Sequence, residues 1–232
     1  MSAGLTTLIF DLDGTLTDSK PGIVGCLRKV MDARGLKDGG PLDRFIGPPV
    51  EQWTAELLPD ASDEERAALA REYRACYDTV GWSNNAVYPG VAEMLAQLDA
   101  DGLHLFVCTS KHEHFAVRIL EAFGIAGYFE AIYGDKIDST GHSKADLLAR
   151  ILSEHHIRHE SVWMVGDRSF DIEAAHANGI RCLAVAWGYG SPAERAQADA
   201  IAETPAEVRR ILLAPAFRGR PQPSSNSARK VF

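Results

Sequence analysis

Short, nearly unbroken apolar runs alternate along this chain with stretches in which apolar residues recur every three or four positions. The runs lie at residues 5–10 (LTTLIF), 103–108 (LHLFVC), 161–165 (SVWMV) and 181–186 (RCLAVA). Each is too short for a helix and too uniformly apolar for a half-exposed strand, the pattern of strands buried on both faces of a parallel sheet. Between them, VAEMLAQLDADG and EHFAVRILEAFG close on glycine, and SKADLLARILSEH carries apolar residues at helical spacing. Strand and helix in alternation predict an α/β fold, a doubly wound parallel sheet with a Rossmann-like core. Ligands bind beyond the carboxyl ends of such strands, where Asp11, Thr109 and Asp167 fall.

Residues 18–85 break the rhythm. PGIVGCLRKVMDARG, PVEQWTAELL and SDEERAALAREYRACYD are helical patterns with no convincing strand between them, and Ser62 with Glu65 makes a capping box for the last. The expectation is a catalytic core of residues 1–17 and 86–213, an inserted α-helical cap at 18–85 over the mouth of the sheet, and a flexible tail at 214–232. The tail, with RGRPQPSSNSARKVF, is too polar to offset the entropy of ordering. The two chain crossings near Asp18 and Asn85 are expected to serve as a hinge for cap closure.

Composition narrows the function. With 46% hydrophobic and 24% charged residues the chain is of ordinary globular type, and 32 acidic against 24 basic residues give a formal charge of −8. That balance argues against nucleic-acid polymers and anionic membranes as partners while leaving small anionic substrates open. Cys26, Cys76, Cys108 and Cys182 form no CxxC pair, and Cys108 and Cys182 sit in strand-like runs, as buried thiols do. No apolar run approaches the roughly 20 residues that span a bilayer, and charge follows the N-terminus too early for a signal peptide. A cytoplasmic location is expected.

The segment TTLIFDLDGTLTDS, residues 6–19, carries the chemistry. Asp11 and Asp13 lie two apart on an extended chain, so their carboxylates share one side. A fold has no use for that repulsion, whereas a cation and a phosphoryl group do. Asp13 taken alone is also a turn residue before Gly14, Thr109 and Ser110 also helix caps, Lys144 also a solvated lysine, and Asp171 also a helix N-terminal acid. His112 and His114 flank Glu113, but not at the i, i+4 spacing of helical zinc sites. Trp53 and Trp82, in the insertion, read first as packing residues.

DLDGTLTDS at 11–19, an apolar strand ending in Thr109, Lys144 at the head of a helix and GDRSFD at 166–171 together resemble the four ordered motifs of the haloacid dehalogenase-like hydrolase superfamily. RFIGPPVEQW, GHSKADLL without the common Lys-Pro, and AWGYGS are similar to its phosphoglycolate phosphatase and 5'-nucleotidase-like branch. The resemblance implies a phosphatase in which Asp11 is the nucleophile that forms an aspartyl-phosphate and Asp13 is the general acid and base. It implies Mg²⁺ held by Asp11, the Asp13 backbone carbonyl and Asp167, with Asp171 nearby or acting through water, and Lys144 and Thr109 contacting the phosphoryl group. Gly14, Thr15 and Ser110 would bind phosphate, and Arg44 and Gln52 would reach the substrate from the specificity loop.

The expected substrate is a small phosphorylated metabolite, a nucleoside 5'-monophosphate or phosphoglycolate, and the expected assembly a monomer or homodimer. A phosphomutase using the same aspartates, and a non-catalytic binding or regulatory protein that retains the fold, are the alternatives.

Overall fold

The computed structural model describes residues 4–37, 40–136 and 143–214. Six parallel strands form one sheet in the order β5-β4-β1-β6-β7-β8: β1 (Thr7–Phe10), β4 (His104–His112), β5 (Ala131–Asp135), β6 (Val162–Gly166), β7 (Arg181–Val185) and β8 (Ala200–Ala202). The doubly wound parallel sheet expected from the apolar runs is therefore present.

Its central strands are buried on both faces because helices cover both. Along β1, Leu8 and Phe10 enter one apolar core with α4 (Val91–Ala100), α5 (Glu113–Ala122) and α9 (Pro205–Leu212). Ile9, pointing the other way, enters a second core with α6 (Lys144–Glu154) and α7 (Ser169–Ala177). The same period of two divides Leu105 and Val107 from Phe106 and Cys108. Cys108 and Cys182 are buried, and all four cysteines are free thiols.

The insertion contributes α1 (Lys20–Ala33), α2 (Val50–Leu57) and α3 (Asp63–Cys76), followed by a π-helical turn at Tyr77–Gly81. Ser62 and Glu65 form the expected capping box at the start of α3. These helices close a third core around Leu27, Phe45, Ile46, Trp53, Leu69, Tyr73 and Tyr77, in which Trp53 is a packing residue. The two chain crossings pair with each other as a short antiparallel ribbon, β2 (Thr17–Asp18) with β3 (Ala86–Val87), which the sequence pattern did not reveal.

A four-residue helix, α8 (Pro192–Arg195), sits between β7 and β8. The expected tail lies outside the described residues from position 215 onward. Among the described residues no helix is long and apolar enough to cross a membrane.

Candidate active site

β1 is the central point of the sheet, with β4 on one side and β6 on the other, so its carboxyl end opens where the chain winds in both directions. Asp11 stands there, its amide donating to Val165 O at 2.9 Å, which locks it to the end of β6. The next turn is tight: Gly14 has φ +88°, and a β-carbon on it would lie 2.4 Å from Asp167 Oδ2. Glycine is required there twice over, for the left-handed backbone and for the close approach.

Asp167 follows β6 and is fully buried. Its Oδ2 accepts from the Tyr189 amide at 2.7 Å, and Thr15 Oγ1 donates to its Oδ1 at 3.4 Å. Gly190 packs so closely that a β-carbon would lie 1.9 Å from Asp167 O, which gives the AWGYGS stretch a role in seating this acid.

Asp171 answers two descriptions at once. Its Oδ2 accepts from the amides of Asp167 (3.1 Å) and Arg168 (3.0 Å), the work of an acid in the first turn of α7. Its Oδ1 faces Lys144 Nζ at 2.5 Å, an ion pair by distance but without the alignment of a hydrogen bond. Lys144 also donates to Asp11 Oδ1 at 2.6 Å. It reaches both because Ser143 caps α6, accepting from the Asp146 amide at 3.2 Å, and so holds Lys144 as the first helical residue.

Ligand oxygens of Asp11, Asp167 and Asp171 lie within 4.8 Å of one another. Burial raises the Asp11 carboxyl to about 7, against the pull of Lys144 and with a push from Asp171. Burial likewise lifts Asp167 well above the usual carboxylate range, reinforced by Asp171 and Asp11. For Lys144, burial acts downward, but Asp11 and Asp171 outweigh it and hold the ammonium above its ordinary value.

Three buried carboxylates beside this one ammonium leave excess negative charge, and the donor set is all oxygen. Both features fit a small hard divalent cation such as Mg²⁺. The carboxylate of Asp13 stands apart from this cluster. Its Oδ2 is 3.0 Å from Lys111 Nζ, and its Oδ1 is buried without a hydrogen-bond partner.

A cavity of about 880 Å³ opens above these groups, between the core and the insertion. It brings together Asp11, Asp13, Thr109, Ser110, Lys144, Asp171 and Gln52. Gly14 and Thr15 lie to the side, against Asp167. Arg44 is not brought to the cavity wall: its guanidinium pairs with Glu56 at 2.9 Å, donates to Pro41 O at 2.8 Å and lies over the Phe45 ring.

Lys111, Tyr77 and Arg168 are among the wall residues that were not anticipated. Lys111 would have been legible only as a further polar residue after Thr109 and Ser110. Tyr77 was not singled out among the aromatic residues of the insertion. Arg168, hidden within GDRSFD, donates to Ile46 O at 2.6 Å and pairs with Glu194 at 2.9 Å, tying the core to the FIGPP loop. His112 and His114 also line the cavity, His112 Nδ1 accepting from the His114 amide at 3.2 Å.

An α/β core with clustered acids at its switch point, under a helical insertion, is the architecture of a known class. The chain belongs to the haloacid dehalogenase-like hydrolase family, whose model matches residues 8–185. Over 185 residues it is 42% identical to the tyrosine-protein kinase PtkA of Mycobacterium tuberculosis, covering 79% of this chain; the matched part is 62% of the length of that relative. It is 36% identical to a 5'-nucleotidase of Pseudomonas aeruginosa (81% of this chain, 85% of the relative). It is 30% identical to a phosphoglycolate phosphatase of Vibrio vulnificus (89% and 95%). A solved structure of a predicted phosphatase from Clostridium acetobutylicum superimposes with a TM-score of 0.85 at 31% identity, covering 91% of this chain and 99% of that one.

Proposed function

We propose that the protein is a Mg²⁺-dependent phosphomonoesterase that hydrolyses a small phosphorylated metabolite through an aspartyl-phosphate on Asp11. The observation that carries the reading is the division of labour among the acids. Asp11 contacts Lys144 within the buried carboxylate cluster, while Asp13 is paired with a different lysine and keeps one oxygen free beside the cavity. The carboxylates of Asp11, Asp167 and Asp171, with the Asp13 backbone carbonyl, would hold the ion. When bound, Mg²⁺ offsets the repulsion between these carboxylates and a phosphate dianion and polarises the phosphoryl oxygens.

The chain's own groups supply the rest. Asp11 attacks phosphorus as the bond to the ester oxygen breaks, and Asp13 delivers a proton to that leaving oxygen. Water then attacks the aspartyl-phosphate, Asp13 takes its proton, and inorganic phosphate leaves with Asp11 restored. Lys144 offsets charge on Asp11 and the phosphoryl oxygens. Thr109 Oγ1 accepts from the Lys111 amide at 3.1 Å, so its hydroxyl hydrogen is available to a phosphoryl oxygen.

The walls support a substrate with a bulky or aromatic group. Phe45, Trp53, Tyr73, Tyr77, Phe115 and Phe170 line a volume far larger than two-carbon phosphoglycolate needs, which favours a nucleoside 5'-monophosphate. Gln52, which lines this cavity, would contact it. The division into a core (1–17 and 86–213) and a cap (18–85), a cytoplasmic location, and a monomer or homodimer belong to the same reading.

The likeness to PtkA favours one other reading, transfer of a phosphoryl group onto tyrosine. The deciding experiment is phosphate release from nucleoside monophosphates, phosphoglycolate and sugar phosphates, with Mg²⁺ and with chelator, beside tyrosine phosphorylation from ATP. Release that stops with chelator, and falls on the order of 10⁴-fold or more in the folded Asp11→Asn variant, is expected. Retained turnover in that variant would overturn the mechanism, and tyrosine phosphorylation without release would favour transfer.

A further inference from the structure

One buried charge has no part in the steps above. Lys111 lies within the register break between Cys108 and His112 in β4, and its side chain is only 7% exposed. An ammonium at such depth is costly unless paired. Its nitrogen is 3.0 Å from Asp13 Oδ2 and donates to Tyr77 Oη at 2.7 Å.

Tyr77 belongs to the insertion. It opens the π-helical turn after α3, stacks on Tyr73 with ring centroids 5.9 Å apart, and meets Phe115 of α5 edge-on at 5.2 Å. One ammonium thus joins three parts of the chain: the turn after β1, the end of β4 and the insertion. The two site lysines also divide the acids between them. Lys144 serves Asp11 and Asp171, and Lys111 serves Asp13, whose second oxygen stays buried without a hydrogen-bond partner.

We propose that Lys111 is a positioning residue that holds Asp13 Oδ2 and thereby turns Oδ1 toward the ester oxygen, and that Tyr77 makes this orientation conditional on the seated insertion. The proposal rests on the phosphomonoesterase reading. Proton delivery to the leaving oxygen then depends on the insertion being in place. A structural ion pair would behave differently: its loss would lower stability and slow every substrate alike.

Leaving groups separate the two. Phenolate is a poor leaving group that needs a proton, and p-nitrophenolate leaves without one. Phenyl phosphate and p-nitrophenyl phosphate, turned over by the full chain with Mg²⁺, are therefore the probes. In Lys111→Met, kcat/KM is expected to fall about 10- to 100-fold for phenyl phosphate and less than about threefold for p-nitrophenyl phosphate.

Breakdown of the shared aspartyl-phosphate also uses Asp13, so kcat for p-nitrophenyl phosphate is expected to fall together with its KM. Tyr77→Phe, which removes only a hydroxyl, is expected to shift both readouts the same way by a smaller factor, and it decides the matter should Lys111→Met fail to fold. Equal losses on the two esters, or no loss in either variant while Asp13→Asn shows the leaving-group penalty, would overturn the proposal. Wild-type protein that releases phosphate from neither ester would instead sink the phosphomonoesterase reading, and this proposal with it.

Discussion

Asp171 shows how one side chain meets two demands. One oxygen caps the first turn of α7 and the other faces Lys144 within the acid cluster. Asp171→Asn retains an oxygen that can accept from the same amides, so little stability is lost on the capping side. It removes the charge, so the Mg²⁺ concentration for half-maximal activity is expected to rise about 10- to 100-fold. A magnesium titration of turnover beside a urea melt checks both halves.

Asp13 gives the complementary case. With one oxygen on Lys111 and the other free, Asp13→Asn is expected to cost about 10²- to 10⁴-fold in kcat/KM on poor leaving groups, read in a series of aryl phosphates. Of the residues around this site, Asp11 and Asp13 were legible because two acids separated by one residue at the end of an apolar strand repel each other and gain nothing for the fold unless a cation joins them. Asp167 and Asp171 were legible through the resemblance to the family's ordered motifs. Lys111 was not, since a lysine is usually solvated and only the fold shows this one enclosed by Asp13 and Tyr77.

Among the elements, α6 matters most to the chemistry. Its capping box is local, Ser143 with Asp146, yet it sets where Lys144 points. Ser143→Ala is expected to cost about 1 kcal/mol of stability, measured by urea denaturation, and to lower kcat as Lys144 loses its fixed place. The strands missed from the sequence, β5 and β8, are the two edges of the sheet. β8 has three residues, and β5 is only half-buried and carries Gly134, so neither shows the long apolar run that marks a central strand. The β2–β3 ribbon has two residues a side, too few for any period to show.

Across the whole molecule, the buried acids tie stability to pH and metal. With Asp11 raised to about 7 by burial, the metal-free folded state holds a proton that the unfolded state releases near 3.8. Unfolding therefore becomes easier as pH rises from about 4 to about 7, and Asp167, raised in the same direction, adds to the trend. The contribution is fully present below the unfolded pKa and lost once pH passes the folded one. Bound Mg²⁺ requires the carboxylates ionised, so the rise in Tm on adding it is expected to be larger at pH 8 than at pH 5. Calorimetry at the two pH values, with Mg²⁺ and with chelator, measures this; an equal rise at both would contradict it.

The sequence by itself determined the doubly wound sheet and the helical stretch after the first strand, and it singled out Asp11, Asp13, Asp167 and Asp171 as candidate site acids. Each of these is a local pattern: a period of two or 3.6, a cap, or a pair of charges too close to be idle. Tertiary structure alone decided which lysine meets which acid, that Arg44 turns to Glu56 while Gln52 faces the cavity, and that Tyr77 and Arg168 tie the insertion to the core. Those facts join residues up to 133 positions apart, as Lys144 and Asp11 are. No periodicity along the chain encodes such a meeting; it comes from the sheet order, which carries distant strand ends to one place.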